Sequence, residues 1–228
     1  MIATQHVTMQ LAAGGQTVTI LDDVTIDIPE KQTVAIIGPS GSGKSTLLGL
    51  IAGLDRPTSG TIWLNGVEIT ALGEQAMARL RLANVGYIFQ SFHLIPTLTA
   101  LENVSIPLEL AGDSQAPRRA EELLHAVGLG HRMSHYPVQL SAGEQQRVAV
   151  ARAFACRPPI LLADEPTGNL DSSTGQQVIE LIMALHRDAG TTLVLVTHDQ
   201  HLAASMERVI TLRDGRVASD QLASLHHR

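Results

Sequence analysis

Residues 33–54 have the sequence TVAIIGPSGSGKSTLLGLIAGL. The β-branched run at 33–37 predicts a strand, and the apolar run at 47–54 predicts a helix. Between them, residues 38–45 follow the pattern G-x-x-x-x-G-K-S, a glycine-rich loop that binds phosphate when it connects a strand to a helix. Glycines let successive backbone N–H groups point at phosphate oxygens, and the start of the following helix adds partial positive charge. The segment therefore predicts a nucleotide-phosphate site in an α/β fold.

Two side chains of this loop, known as the Walker A loop, have distinct predicted roles. Lys44 is expected to reach the β- and γ-phosphates, and the Ser45 hydroxyl is a candidate ligand for Mg²⁺. Lys44 is one of only two lysines in the chain, and the other cationic side chains of the Lys and Arg type are arginines. A lysine at this position indicates that a compact point charge is needed here. The predicted ATP-binding residues are Gly38, Pro39, Ser40, Gly41, Ser42, Gly43, Lys44, Ser45 and Thr46.

Composition excludes several classes of protein. The chain has 228 residues, 44% of them hydrophobic and 17% charged, which is typical of a folded domain and excludes intrinsic disorder. A net charge of -6 and an aromatic content of 3% argue against nucleic acid as a partner. The single cysteine, Cys156, excludes an internal disulfide and favours a reducing compartment. We expect no secretory signal at the N-terminus, and no apolar run approaches the roughly 20 residues that span a bilayer.

The order of strands and helices predicts the fold class. The first third of the chain contains several short β-branched runs, and a series of continuous apolar runs later in the chain is typical of strands buried in a parallel sheet. The stretch 91–156 has no comparable run and is expected to be helical. We predict one domain over 1–228, with a nucleotide-binding core and β subdomain at 1–90 and 157–228 and a helical subdomain at 91–156. The predicted strands lie at 7–11, 18–20, 24–28, 33–37, 61–64, 85–89, 160–163, 192–196 and 209–212.

Two carboxylates end the predicted strand at 160–163. Asp164 is placed to hold Mg²⁺ through its hydration shell, as the Walker B aspartate does in P-loop NTPases. The next residue, Glu165, is then free to orient and deprotonate the attacking water. An acidic pair after an apolar run is usually a strand end entering solvent, and the phosphate loop is what favours the catalytic interpretation.

A third motif, LSAGEQQR, occupies residues 140–147 and opens an alanine-rich helix. Ser141 is a predicted N-cap, and Glu144 three residues later completes a capping box. The helix start could bind an anion through a hydroxyl and a glycine N–H. Taken alone, the motif indicates no more than a capped helix.

The order of five motifs resembles that of ABC ATPases. Gln90, Asp171 and His198 fall where that family has its Q-, D- and H-loops, and 140–147 resembles its signature motif. The resemblance implies a P-loop NTPase fold: a RecA-like core, an N-terminal antiparallel β subdomain and an inserted α-helical subdomain. It also implies a head-to-tail dimer of two copies, with each ATP between the Walker A loop of one copy and the signature motif of the other.

The resemblance also implies roles for individual residues. Glu165 and His198 would be catalytic, and Asp171 would link the two sites across the dimer. The residues that would hold Mg²⁺ are Ser45, Gln90 and Asp164. The signature residues that contact ATP in trans would be Ser141, Ala142, Gly143 and Glu144.

Three longer stretches resemble one subgroup of ABC ATPases. These stretches, 89–104, 163–171 and 195–199, are similar to the lipoprotein-release and macrolide-export group of the LolD and MacB type, most nearly its YbbA branch. This implies an integral membrane permease of the MacB/LolC type as partner, hydrophobic or lipid-like substrates, and a cytoplasmic location on the inner face of the membrane. Phe92, Leu94, Ile95 and Leu98 would line the groove for the permease's coupling helix, or else belong to the core of the helical insertion.

The chain departs from the family pattern at two places. The second signature position is Ala142 instead of glycine, which is harmless if its φ is negative and costly if φ must be positive. No aromatic residue precedes Trp63, so the tyrosine that usually stacks on adenine is missing and Leu11 or Ala12 is near its place. We therefore expect weak selectivity for the base.

Two other functions share the phosphate loop. A soluble ABC protein acting on ribosomes or DNA would carry two nucleotide domains or a coiled-coil insertion, and copurification with a membrane protein would exclude it. A small-molecule kinase would need an arginine-bearing lid and would transfer phosphate to an acceptor other than water. The adjacent His226 and His227 are too few for a metal site, and we expect a frayed terminus there.

Overall fold

The structure, a computed structural model, describes residues 1–223. Ten strands and seven helices account for most of these residues. His226 and His227 lie outside the described residues. Two short 3-10 turns, at Gly130–Arg132 and Pro137–Gln139, precede the fifth helix. In chain order the elements are β1 (Ile2–Ala13), β2 (Gln16–Ile28), β3 (Thr33–Ile37), α1 (Lys44–Ile51), β4 (Ser59–Leu64), β5 (Val67–Glu68), α2 (Glu74–Asn84), β6 (Val85–Ile88), α3 (Ala100–Leu110), α4 (Ala116–Ala126), α5 (Ala142–Phe154), β7 (Ile160–Asp164), α6 (Ser172–Ala189), β8 (Thr192–Val196), α7 (Gln200–Ala204), β9 (Arg208–Arg213) and β10 (Arg216–Leu222).

The described chain divides into two compact units. Unit 1 consists of residues 1–81 together with the described residues from 192 onward, and unit 2 consists of residues 82–191. Helix α2 runs across the boundary between them.

The first sheet of unit 1 is antiparallel, with the strand order β2-β1-β4-β5. The predicted runs at 18–20 and 24–28 form one strand, because shifts in register against β1 absorb the interruption at 22–23. Val7, Leu21 and Val24 lie fully buried beneath this sheet. The antiparallel N-terminal sheet is therefore present as predicted.

The other strands of unit 1 pair in the order β10-β9-β3-β8. Strand β3 is parallel to both of its neighbours, and Val34, Ala35 and Ile36 at its centre are fully buried. Leucines 47, 48 and 50 of α1 are also fully buried, which supplies the apolar helix face that a parallel strand needs. Strand β10 was not predicted, because its residues are mostly exposed and polar.

Unit 2 combines two parallel strands with four helices. Strand β6 pairs with β7, joining Val85 to Ile160 and Ile88 to Ala163. Between these two strands the described chain contains helices α3, α4 and α5 and no strand, as the absence of β-branched runs predicts. Their buried faces share one core that includes Val104, Leu124 and Val148.

Capping residues set where these helices begin. Thr99 and Glu102 form a capping box at α3, and Asp171 accepts N–H bonds at the start of α6. Helix α6 ends at Gly190 with φ 63, a left-handed conformation typical of glycine after a helix. No helix within residues 1–223 is both long and apolar enough to cross a bilayer.

Candidate functional site

The predicted phosphate loop joins β3 to α1 in unit 1. Gly43 is the N-cap of α1, with φ 94 and no side-chain cap. A Cβ at Gly43 would lie 2.6 Å from Leu21 Cδ2 and 2.8 Å from the carbonyl oxygen of Ile20. Both the positive φ and the close approach of β2 therefore require glycine, and α1 begins here without a side-chain cap.

Lys44 and Ser42 supply the polar side chains inside this loop. Lys44 is only 7% exposed, and its Nζ donates to the carbonyl oxygens of Gly38 at 3.0 Å and Pro39 at 2.8 Å. The Ser42 hydroxyl is buried and has no hydrogen-bond partner among the described residues. A buried polar group without a partner costs about 1–3 kcal/mol. An anion that accepts from Ser42 and Lys44 would remove that cost, so the cradle fits a phosphate group.

His198 and the phosphate loop lie at the same edge of the sheet, where β8 and β3 end. Strands β3 and β8 are parallel and in register at Ile36 and Val196, and the Thr197 N–H donates to the Ile36 carbonyl at 3.3 Å. Thr197 is buried, whereas His198 is exposed. Unit 1 therefore brings the Walker A loop and His198 to one edge, as expected for residues that follow neighbouring parallel strands.

In unit 2, Gln90 and Glu165 lie side by side because they follow the paired strands β6 and β7. The Gln90 Nε2 donates to a Glu165 carboxylate oxygen at 3.4 Å. The Asn169 side chain donates to the Gln90 backbone carbonyl at 2.9 Å and so fixes the loop from the other side. Glu165 has φ 42, a left-handed conformation that is uncommon for a residue with a side chain. Strain of this kind is often found at functional sites.

Asp164 ends strand β7, next to Glu165. Its charge acts on Tyr87 of β6: burial, and secondarily the negative charge of Asp164, raise the pKa of the Tyr87 hydroxyl well above its usual value. Tyr87 is therefore neutral at physiological pH. Within the described residues, no group of three or more histidine, cysteine, aspartate or glutamate side chains is placed to hold a metal ion.

The signature motif forms the predicted capping box at the start of α5. Ser141 Oγ accepts from the Glu144 N–H at 3.3 Å, and Glu144 Oε2 accepts from the Ser141 N–H at 2.8 Å. Arg132 adds a contact that the sequence did not suggest, since its Nε donates to Glu144 Oε1 at 3.1 Å. The Ser141 N–H first, and then the Ser141 hydroxyl and Arg132, hold the pKa of Glu144 below its usual value.

Positions 142 and 143 differ in which residue types they can accept. Ala142 is the first residue of α5 and its φ is negative, so the alanine causes no backbone strain and the harmless alternative applies. Gly143 is buried, and a Cβ there would meet the Thr174 methyl group at the start of α6 well inside 3.0 Å. Glycine at 143 is therefore a packing requirement.

Asp171 serves as the N-cap of α6. Its carboxylate accepts from the N–H groups of Ser173 at 3.1 Å and Thr174 at 3.0 Å, and from the Ser173 hydroxyl at 2.7 Å. Hydrogen bonds from the Thr174 and Ser173 side chains, together with those N–H groups, hold the pKa of Asp171 far below its usual value. Asp171 is thus a fixed negative charge on an exposed turn.

The sequence missed three polar side chains that hold the site in place. Gln146 and Arg152 project from α5 to backbone carbonyls near Glu165 and Gln90, and Asn103 is fully buried and bonded to the loop at 95–99. Only Asn103 has a sequence signal, since an amide in an otherwise apolar helix face marks a buried hydrogen-bond donor.

Comparison with known proteins identifies the family. The family model described as "ABC transporter" matches residues 21–168, more than half of the chain. The chain belongs to the ABC transporter family. It is an ATP-binding subunit of that family, and the predicted enzyme class, an ABC ATPase, is confirmed.

Individual relatives agree with this assignment. The ABC protein is 48% identical over 221 residues to the ABC transporter ATP-binding protein YbbA of Escherichia coli K12, covering 96% of this chain and 97% of YbbA. It is 47% identical to the lipoprotein-releasing system ATP-binding protein LolD of Geobacter metallireducens, covering 96% of this chain and 99% of LolD. The predicted resemblance to the LolD and YbbA group is confirmed.

A solved ABC cassette confirms the fold class. The dimeric structure of MJ0796 in a post-hydrolysis state, bound to ADP and Pi, matches this ABC protein with a TM-score of 0.92 and 41% identity, covering 98% of this chain and 99% of that one. The predicted ABC ATPase fold, with its antiparallel β subdomain and inserted helices, is therefore correct.

Proposed function

We propose that this ABC protein hydrolyses Mg²⁺-ATP as a head-to-tail homodimer and transmits the resulting motion to a membrane permease. The observation that carries the proposal is the phosphate cradle of unit 1. There the buried Ser42 hydroxyl, which has no hydrogen-bond partner within residues 1–223, and Lys44 lie at the start of α1, which has no side-chain cap. A loop of this kind neutralises phosphate charge through backbone N–H groups and one ammonium ion.

The roles of the hydrolytic residues follow the family resemblance. Glu165 takes a proton from the attacking water, which bonds to the γ-phosphorus while the bond to the ADP oxygen breaks. Gln90, 3.4 Å from the Glu165 carboxylate, orients that water, and His198 contacts the γ-phosphate. Ser45, Asp164 and Gln90 would hold Mg²⁺, which neutralises charge on the β- and γ-phosphates when bound.

We infer a dimer because the phosphate loop and the signature motif would supply different contacts to the same ATP. The capped start of α5 includes the Ser141 hydroxyl and the N–H groups of Ala142 and Gly143, and we assign this anion site to the ATP bound by the partner. MJ0796, with which this chain shares 41% identity, is itself a dimer in its ADP-bound structure. Asp171 would then connect the two sites of the dimer.

The permease and substrate are inferred from the relatives. LolD, 47% identical, is named for a lipoprotein-releasing system. We infer an integral membrane permease of the MacB/LolC type, a cytoplasmic location on the inner face of the membrane, and a cycle that exports, extracts or mechanically displaces hydrophobic or lipid-like substrates.

The test is the oligomeric state of the Glu165→Gln variant by light scattering, with and without Mg²⁺-ATP. Removing the proton acceptor blocks hydrolysis while leaving the phosphate loop intact, so we expect a dimer that forms only with ATP. Adding Ser141→Arg places a bulky side chain at the signature motif and should abolish the dimer without changing ATP binding by the monomer.

Two results would contradict the proposal. A Glu165→Gln variant that binds ATP and stays monomeric at all concentrations would show that the signature motif makes no contact in trans. Phosphate transfer by the wild-type protein to an acceptor other than water would point to a kinase. Copurification of a membrane protein with the trapped dimer is the expected result for the permease.

A further inference from the structure

Helix α5 reaches the catalytic segment of its own unit through Gln146. This side chain is fully buried, and its Nε2 donates to the backbone carbonyl of Pro166 at 2.7 Å. Pro166 directly follows Glu165, whose φ of 42 is unfavourable for a residue with a side chain. A strained conformation persists only when its surroundings hold it, and the bond to Pro166 is one such restraint.

The last turn of α5 holds the Q-loop in the same way. The Arg152 guanidinium donates to the backbone carbonyls of His93 at 2.7 Å and Phe92 at 2.8 Å. Phe92 and His93 have φ values of 61 and 48, so one arginine stabilises two consecutive residues in the left-handed region. These residues follow Gln90, whose amide contacts the Glu165 carboxylate.

We propose that Gln146 and Arg152 are positioning residues through which α5 sets the places of Glu165 and Gln90 in its own protomer. This inference rests on the proposed function, in which the start of the same helix contacts the ATP bound by the partner. A helix of 13 residues is about 20 Å long and rigid. It would therefore tie the signature contact at one ATP site of the dimer to the hydrolytic residues of the other.

The chemistry of Gln146 allows this role to be separated from a role in stability. Its Oε1 is buried without a hydrogen-bond partner in the described chain, and such an acceptor favours unfolding. Methionine has a similar length and no polar group that must be satisfied. Gln146→Met therefore exchanges one unpaired acceptor, Gln146 Oε1, for another, the Pro166 carbonyl, so we expect little net change in stability while the restraint on Pro166 is lost.

We expect Gln146→Met to lower kcat by about tenfold or more, because a misplacement of about 1 Å costs up to 10²-fold, while KM for ATP changes little. Slow hydrolysis with intact signature contacts should also make the variant accumulate the ATP-dependent dimer without the Glu165→Gln trap. The matched control is Gln176→Met on α6, where the amide donates to the Glu180 carboxylate at 2.9 Å and not to the catalytic segment. Its kcat should stay within about twofold of wild type.

A second variant tests the other contact. Arg152→Lys keeps the charge but has one donor group in place of the planar fork that spans both carbonyls. Its kcat should fall by a smaller factor than that of an Arg152→Met variant, again with the dimer retained.

Hydrolysis of ATP at the wild-type rate by Gln146→Met would contradict the inference. Loss of both the ATP-dependent dimer and hydrolysis would also contradict it, because that result is expected from a damaged signature helix. Failure of the proposed function is a different outcome: the wild-type protein would not hydrolyse ATP, or Glu165→Gln would not dimerise.

Discussion

A methyl group added at Gly143 would meet the Thr174 Cγ2 atom inside 3.0 Å, whereas ordinary van der Waals contact begins at 3.4 Å. Both residues lie in the first turns of helices, α5 and α6, and a rotation that moved the Thr174 methyl group away would also displace the hydroxyl that bonds to Asp171. Overpacking of this kind typically costs about 1–3 kcal/mol. Alanine gains up to about 1 kcal/mol over glycine from helix propensity, so we expect Gly143→Ala to lower the free energy of unfolding by about 1–2 kcal/mol.

The partner substitution is Thr174→Ser, which removes the clashing methyl group. It keeps the hydroxyl, whose hydrogen bond to Asp171 helps to hold the pKa of that carboxyl low. In a double-mutant cycle measured by urea denaturation, Thr174→Ser should recover most of the stability lost in Gly143→Ala, with a coupling energy of about 1 kcal/mol or more. A Gly143→Ala variant as stable as wild type, or additive effects of the two substitutions, would show that no clash with Thr174 limits residue 143.

Two further predictions concern the base and the loop after Gln90. Leu11, one of the two residues predicted to lie near the place of the base, is 48% exposed and pairs across β1 and β2 with Val18, which is 45% exposed. Neither side chain is aromatic, so GTP should support turnover within about tenfold of ATP, and failure of GTP to compete with ATP would contradict this. Asn103 accepts from the Ile95 N–H at 2.8 Å, and its amide donates to three carbonyls of the loop, including Thr99 at 3.0 Å. Asn103→Ala removes these part-buried bonds and leaves the Ile95 N–H and the Leu98 carbonyl without them, at about 1–3 kcal/mol each, so urea denaturation should show a loss of at least about 2 kcal/mol; an unchanged unfolding midpoint would refute it.

The elements that the sequence predicted well are those set by local pattern. Strand β3 spans Thr33–Ile37 as predicted, because a β-branched run ends at a glycine loop. The capping box at Ser141 and the glycine end of α6 follow from residues within four positions of each other. The order of the motifs then predicted the family, since their sequence spacing reflects which strands they follow.

The contacts that the sequence could not predict join residues far apart in the chain. Arg152 and Phe92 are separated by 60 positions, and Gln90 and Glu165 by 75. An arginine in a helix has no local signal for its partner, because long charged side chains are found on most exposed helix faces. The pairing exists only after β6 and β7 have aligned and α5 has packed against the helical core.

The backbone conformation at residue 142 explains why alanine is tolerated there. A first helical residue with negative φ accepts any side chain that points away from its neighbours, and alanine is favoured over glycine there by up to about 1 kcal/mol. At Gly143 the same exchange forces a methyl group onto Thr174. The two adjacent positions of the signature motif therefore carry different constraints: conformation leaves 142 free to vary, and packing between α5 and α6 fixes 143. If the proposed contact in trans uses backbone N–H groups, it survives the first substitution and loses its geometry with the second.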